Sequence, residues 1–133
     1  MPCADPSDLA SLPLFDSLPE PERVEVAAWF EEREVGVGVK LVGEGTTGHS
    51  FFIIREGEVV VTVHGEEIAT LDAGDYFGEL ALLGELRRTA TVTTTKPSRL
   101  LVLFGPDFTR LRATYPAIAT ELDQTMQRRL QRS

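Results

Sequence analysis

The chain has 133 residues, 42% of them apolar and 26% charged, with a formal net charge of −8 at pH 7. That is chain enough for a real core, since a fold of about 150 residues hides roughly 68–70% of its unfolded surface, and the composition excludes disordered and fibrous classes. A single cysteine, Cys3, excludes an internal disulfide, and no apolar run approaches the ~18 residues that cross a bilayer.

The charge is divided along the chain. Residues 1–86 carry 4 basic and 18 acidic side chains, a net of −14, whereas residues 87–133 carry 9 basic and 3 acidic, a net of +6. A duplex-binding protein needs a basic face and a groove-reading element. Neither is evident, so no DNA binding is expected of this chain alone, and no membrane association either. The opening MPCADPSDLA lacks the basic and apolar regions of a signal peptide, which points to the cytoplasm.

Residues 1–34 read as helical. LASLPLFDSL makes a short turn ending at Pro13, followed by an apolar plug of Leu14, Phe15 and Leu18. PEPERVEVAAWFEERE then opens on proline and sets Val24, Ala27, Ala28, Trp29 and Phe30 among acids and arginine, a helical pattern up to about residue 34. From Val35 the signal switches. Glycine recurs at 36, 38, 43, 45, 48, 57, 65, 74, 78 and 84, punctuating short β-rich runs. Strands are predicted near Val39–Val42, Ser50–Arg55, Glu58–His64, Glu67–Leu71, Ala90–Thr94 and Arg99–Leu103, and both REGEV and VHGEEI place a glycine between apolar runs as hairpins require. After Gly105, Pro106 opens a helix over DFTRLRATY. Pro116 opens another over AIATELDQTMQRRLQR, with an apolar row at Ile118, Leu122, Met126 and Leu130. The predicted architecture is one mainly β domain. A β-roll or jelly-roll barrel over 35–105 is flanked by an N-terminal helical bundle over 1–34 and two C-terminal helices over 106–133.

The chemistry concentrates at FGELALLGELRRTATV, residues 77–92. Gly78 permits a tight turn and close backbone approach. The ELALL that follows is a short helix whose first N–H groups lack intrahelical partners, a natural anion site. Glu79 would repel that anion, so it must instead accept a hydrogen bond, as from a hydroxyl. Arg88 offers a planar fork matched to two phosphate oxygens. A ligand meeting all three needs carries a phosphate beside a hydroxyl. The plainer alternative is a hairpin decorated by an Arg–Glu surface pair worth ~0–1 kcal/mol.

GDYFGELALL followed by RRTATV resembles the phosphate-binding cassette of the cyclic nucleotide-binding domain family, matched over its length without a gap. LPLFDSLPEPERVEVA is similar to that family's N-terminal helices, GEGTTGHSFFIIREGEVVV to its second and third strands, and DFTRLRATYPAIATELDQTMQRRLQ to its last two helices. The resemblance implies that Gly78 makes the turn and that Glu79 accepts from the ribose 2′-hydroxyl. It implies further that backbone N–H groups of Leu80 and Ala81 reach the cyclic phosphate, that Arg88 pairs with its exocyclic oxygens, and that Thr89 adds a hydroxyl to phosphate or base. Val61 and Ile68 would line the base, with barrel core as the alternative for both. The family often has proline where this chain has Arg87, and Gly84 comes one residue early. Strand alternation turns only one of Arg87 and Arg88 inward, and the spacing from Gly78 favours Arg88.

The implied function is a non-enzymatic sensor of a cyclic nucleotide, cAMP ahead of cGMP, with no cofactor. Movement of the C-terminal helices would relay binding to an effector that the sequence does not identify. His49 and His64 stand apart from any third ligand, so a cupin-type metal enzyme fails on residue count, and no catalytic constellation is found. The remaining alternative is a ligand-free interaction module of the same fold, with Arg88 and Glu79 paired to each other.

Overall fold

The computed structural model describes Leu9 and residues 12–15, 18–42, 50–77 and 91–131, with side chains of the last helix described to residue 124. A 3-10 turn at Pro13–Phe15 precedes helix α1 (Glu20–Ala27). Eight strands follow among the described residues: β1 (Glu31–Val35), β2 (Lys40–Val42), β3 (Ser50–Glu56), β4 (Glu58–Val63), β5 (Glu66–Asp72), β6 (Tyr76–Phe77), β7 (Thr91–Thr94) and β8 (Ser98–Phe104). Helices α2 (Gly105–Thr114) and α3 (Pro116–Gln131) complete the described chain, each with proline in its first turn, where the missing N–H costs nothing. The strands form two four-stranded antiparallel sheets, ordered β1-β8-β3-β6 and β2-β7-β4-β5. The mainly β architecture read from the sequence is the architecture observed.

The strands β3 and β8 explain how one sheet serves two cores. SFFIIRE and SRLLVLF are nearly continuous apolar runs, and a period of two sends alternate residues to opposite faces. Phe51, Ile53, Leu101 and Leu103 enter a core shared with the helices, where Phe15, Phe30, Phe108, Leu111, Ile118 and Leu122 are buried. Phe52, Ile54, Leu100 and Val102 enter a second core between the sheets, meeting Val59, Phe77 and Val92. The predicted plug of Leu14, Phe15 and Leu18 is buried, as are Ile118 and Leu122 of the predicted α3 row. The Met126 and Leu130 side chains lie outside the described ones.

Three expectations are corrected. The N-terminal helix stops at Ala27 rather than near residue 34, and Glu31–Val35 form β1, paired along β8 from Glu31↔Val102 to Val35↔Ser98. EEREV has excellent helix formers, but backbone pairing with β8 and the Glu32–Arg99 ion pair at 3.0 Å override that local preference. Within α1 the buried residues are Val26 and Ala27, while Val24 is exposed. The second correction is REGEV, which is no hairpin. β3 pairs with β6 and β8, whereas β4 pairs with β5 and β7, so Gly57 is the corner where the chain passes from one sheet to the other. VHGEEI is the hairpin expected, with His64 at φ +52° and Gly65 at φ +80° joining Val63 to Glu66. Third, the two-residue strand β6 was not anticipated; YF is too short to carry a strand pattern.

Candidate functional site

Six of the eight residues assigned to the site from sequence, Gly78, Glu79, Leu80, Ala81, Arg88 and Thr89, lie outside the described residues, as does the helix expected over 79–84. What is described is the frame on either side. The lead-in is β6, hydrogen-bonded to β3 with Phe52 opposite Phe77 and Ile53 opposite Tyr76. The rings of Phe52 and Phe77 stack 4.8 Å apart at 9°. On the other face Tyr76 lies 5.4 Å from Phe51, whose ring in turn sits 4.9 Å from Phe108 of α2. Ahead of β6 a turn around Gly74 (φ +96°) is tied by the Asp72 N–H donating to the Asp75 carboxylate at 3.0 Å and the Gly74 N–H donating to the Ile54 carbonyl at 2.8 Å. Asp72 and Asp75 are therefore turn residues, as their spacing about Gly74 suggests.

The lead-out is β7, an interior strand of the other sheet between β2 and β4. Val92 faces Val61, Thr91 faces Thr62, and Val92 and Thr94 are buried. Phe77 at the end of β6 and Thr91 at the start of β7 thus belong to different sheets, and both lie toward the end of the sandwich away from the Gly57 corner. A surface hollow does lie at that corner, lined by Glu34, Val35, Gly36, Pro97, Ser98 and Arg99. It is remote from both attachments, and ion pairs of Arg99 with Glu32 and Glu56 occupy its wall.

Of the two residues assigned to the base, Val61 is half-buried and packs against the core between the sheets. Ile68 is 60% exposed. The β4–β5 ladder passes from Val61↔Ala69 to Thr62↔Glu67, so Ile68 is the extra residue of a bulge, and barrel core is ruled out for it. Phe52, Tyr76 and Phe77 were not singled out from sequence, although two adjacent aromatics before Gly78 are a visible signal.

A second cluster joins the helices. The Arg110 guanidinium lies 4.0 Å from the centre of the Trp29 ring and 3.9 Å from the Glu25 carboxylate, and Tyr115 packs 6.4 Å from Trp29. Burial, then the charges of Glu25 and Glu22, push the Tyr115 phenol above its ordinary pKa. Arg112 of α2 donates to Asp123 of α3 at 2.8 Å. Among the described residues no group of three or more His, Cys, Asp or Glu could hold a metal ion, and no helix is long and apolar enough to cross a membrane.

Residues 32–115 match the family described as the cyclic nucleotide-binding domain. The cAMP-dependent protein kinase regulatory subunit of Yarrowia lipolytica is 38% identical over 105 residues, covering 77% of this chain and 28% of that protein. The cAMP-bound structure of PfPKA-R (141–441) superposes with a TM-score of 0.87 at 28% identity, over 96% of this chain and 44% of that one. The catabolite activator protein of Thermus thermophilus gives 0.78 at 30% identity, over 90% and 58%. The chain spans only 21–28% of the length of four such kinase subunits.

Proposed function

Because the chain belongs to the cyclic nucleotide-binding domain family, we propose that it is a non-enzymatic sensor module that holds a cyclic nucleotide at residues 77–90. The observation that carries this reading is the ungapped FGELALLGELRRTATV, flanked in sequence by a strand of each sheet in a fold that matches the family. Gly78 supplies the turn, and Glu79 accepts the ribose 2′-hydroxyl proton. The N–H groups of Leu80 and Ala81 donate to the cyclic phosphate, Arg88 forks onto its exocyclic oxygens, and Thr89 adds a hydroxyl. The parity of β7 supports Arg88 over Arg87. Val92 and Thr94 are the buried positions of β7, and residue 88 has the same parity in sequence, as residue 87 does not.

Val61 and the exposed Ile68 are the apolar surface offered to the base. Preference for cAMP over cGMP rests on the similarity to proteins described as cAMP-dependent and cAMP-bound. The signal leaves through α2 and α3, which ligand contacts would redistribute between two positions for an effector to read. Nothing in the proposal requires a cofactor, DNA or a membrane.

Thermal unfolding with millimolar cAMP, cGMP and 5′-AMP tests the reading. A rise in Tm of several degrees is expected with the cyclic ligand only, larger for cAMP. Arg88→Ala should lose several hundred-fold in affinity, since a phosphate left without its partner costs ~3–5 kcal/mol. No shift with either cyclic nucleotide would leave the ligand-free interaction module as the function.

A further inference from the structure

Toward the Gly57 corner the outer face of the β1-β8-β3 sheet changes from apolar to charged. Leu103 and Leu101 of β8 enter the helical core, but the next residue on that face, Arg99, lies opposite Glu34 of β1 and Glu56 of β3. Arg99 reaches Glu32 at 3.0 Å and Glu56 at 3.4 Å. Glu34, the residue directly across from it, keeps a carboxylate without a partner among the described residues. Three carboxylates around one guanidinium leave the corner negative. Glu34, Glu56 and Arg99 wall the surface hollow there together with Val35, Gly36, Pro97 and Ser98, and its volume of about 430 Å³ has room for side chains rather than for a domain. Beside it, Gly36 leads into a turn whose valines face water, Val37 at 61% and Val39 at 37% exposure. A buried threonine fixes that turn. The Thr94 hydroxyl accepts from the Val39 N–H at 2.9 Å and donates to the Gly36 carbonyl at 2.6 Å, and the Gly38 N–H donates to the Thr94 carbonyl at 2.8 Å.

We propose that this corner is a docking surface for an extended peptide segment of a partner protein, one that carries an arginine or lysine next but one to an aliphatic residue. In an extended segment those two side chains project from the same face. The cation enters the hollow and meets Glu34, and the aliphatic side chain packs on Val37 beside it. Charge complementarity selects this occupant. The surplus carboxylates repel a phosphate, and they repel the acidic body of a second copy, whose residues 1–86 carry a net −14. Valines already held in place by Thr94 lose less freedom on docking than valines on a loose loop would. The surface stands apart from the cyclic nucleotide reading and uses none of the residues assigned to it.

Proton–nitrogen correlation spectra of the whole chain, titrated with the capped peptide acetyl-Ala-Leu-Ala-Arg-Ala-amide, test the proposal. Saturating amide shifts are expected to gather at residues 34–39, 56–57 and 95–99. The same peptide with glutamate in place of arginine should bind at least about fivefold more weakly, and the difference should shrink as salt rises from about 20 to about 300 mM. Glu34→Gln and Val37→Ser should each weaken binding about threefold, the weight of one exposed ion pair or one partly covered aliphatic contact. Val24→Ser, at another exposed valine on α1, should leave it unchanged. Both test positions face water, so the variants keep the fold, and their own spectra check this. No saturable shift at the corner, equal binding of the two peptides, or Glu34→Gln and Val37→Ser variants that bind as the parent does would each overturn the proposal. Corner shifts produced by concentrating the protein alone would assign the face to a second copy, and would overturn it as well.

Discussion

At Gly57 the backbone takes φ +110°, and a β-carbon there would stand 2.7 Å from the Cα of Ser98. Neither condition can be relaxed by turning a side chain, because both strained partners are backbone. Gly57→Ala is therefore expected to cost about 3 kcal/mol, the sum of a disfavoured conformation and an overpacked contact. Gly65→Ala has only the conformational part, with open space around it at φ +80°, and should cost about 1 kcal/mol. Urea denaturation of the two variants measures the difference directly. In the sequence the two glycines look alike, each between a charged pair and a β-branched run. What separates them is the choice of strand partners across the whole domain, which five residues around a glycine do not contain. Ile68 makes the same point: alternation from Val61 suggests an inward side chain, and a single bulge residue cancels it.

The strands that were legible are those whose pattern arises from burial. β3 and β8 bury both faces and read as apolar runs; β4 is bounded by Gly57 and Gly65 and reads as a strand from its valines. β1 was illegible because EEREV buries almost nothing: its five residues are half-buried or exposed, so no apolar period marks them, and their partner β8 lies more than sixty residues away. The cassette motif is continuous in sequence, which is why it can be read there, while its residues 78–90 lie outside the described ones. The stack of Phe52 on Phe77 was not legible, because the two meet only through the register of β3 and β6. The helices follow from burial too. α3 is held in its first half by Ile118 and Leu122, at 1% and 0% exposure. Leu122→Ala should destabilise the domain by about 3 kcal/mol through the cavity it leaves, read as a lower midpoint in denaturant with an unchanged slope.

At the scale of the molecule, β3 and β8 give alternate residues to both cores, so neither core can be lost while the other keeps its wall. Unfolding should accordingly be a single transition. Trp29, the chain's one tryptophan, packs against the helical core, whereas far-ultraviolet dichroism follows both sheets. The two probes are expected to give the same midpoint in denaturant, and a gap between them would show the helical layer detaching first. The charge division along the chain has a simple place in this picture. Acidic residues crowd the α1–β1 side, and α2 sends Arg110 to Glu25 at its boundary, so part of the basic excess is used where the two halves meet.

The charged face of β1 carries one more consequence. It is an outer strand of its sheet, with one side of its backbone unpaired by any other strand of the two sheets, and such a border is where a second chain could add itself and begin a polymer. Glu31, Glu32, Arg33 and Glu34 make that addition unfavourable, since a copy arriving antiparallel would set rows of like charge against one another. The composition that hides β1 among helix formers is thus also its guard against runaway growth. A version rewritten with threonine and valine at Glu31 and Arg33 would look far more like a strand on paper, and would be the one to fibrillise in the tube.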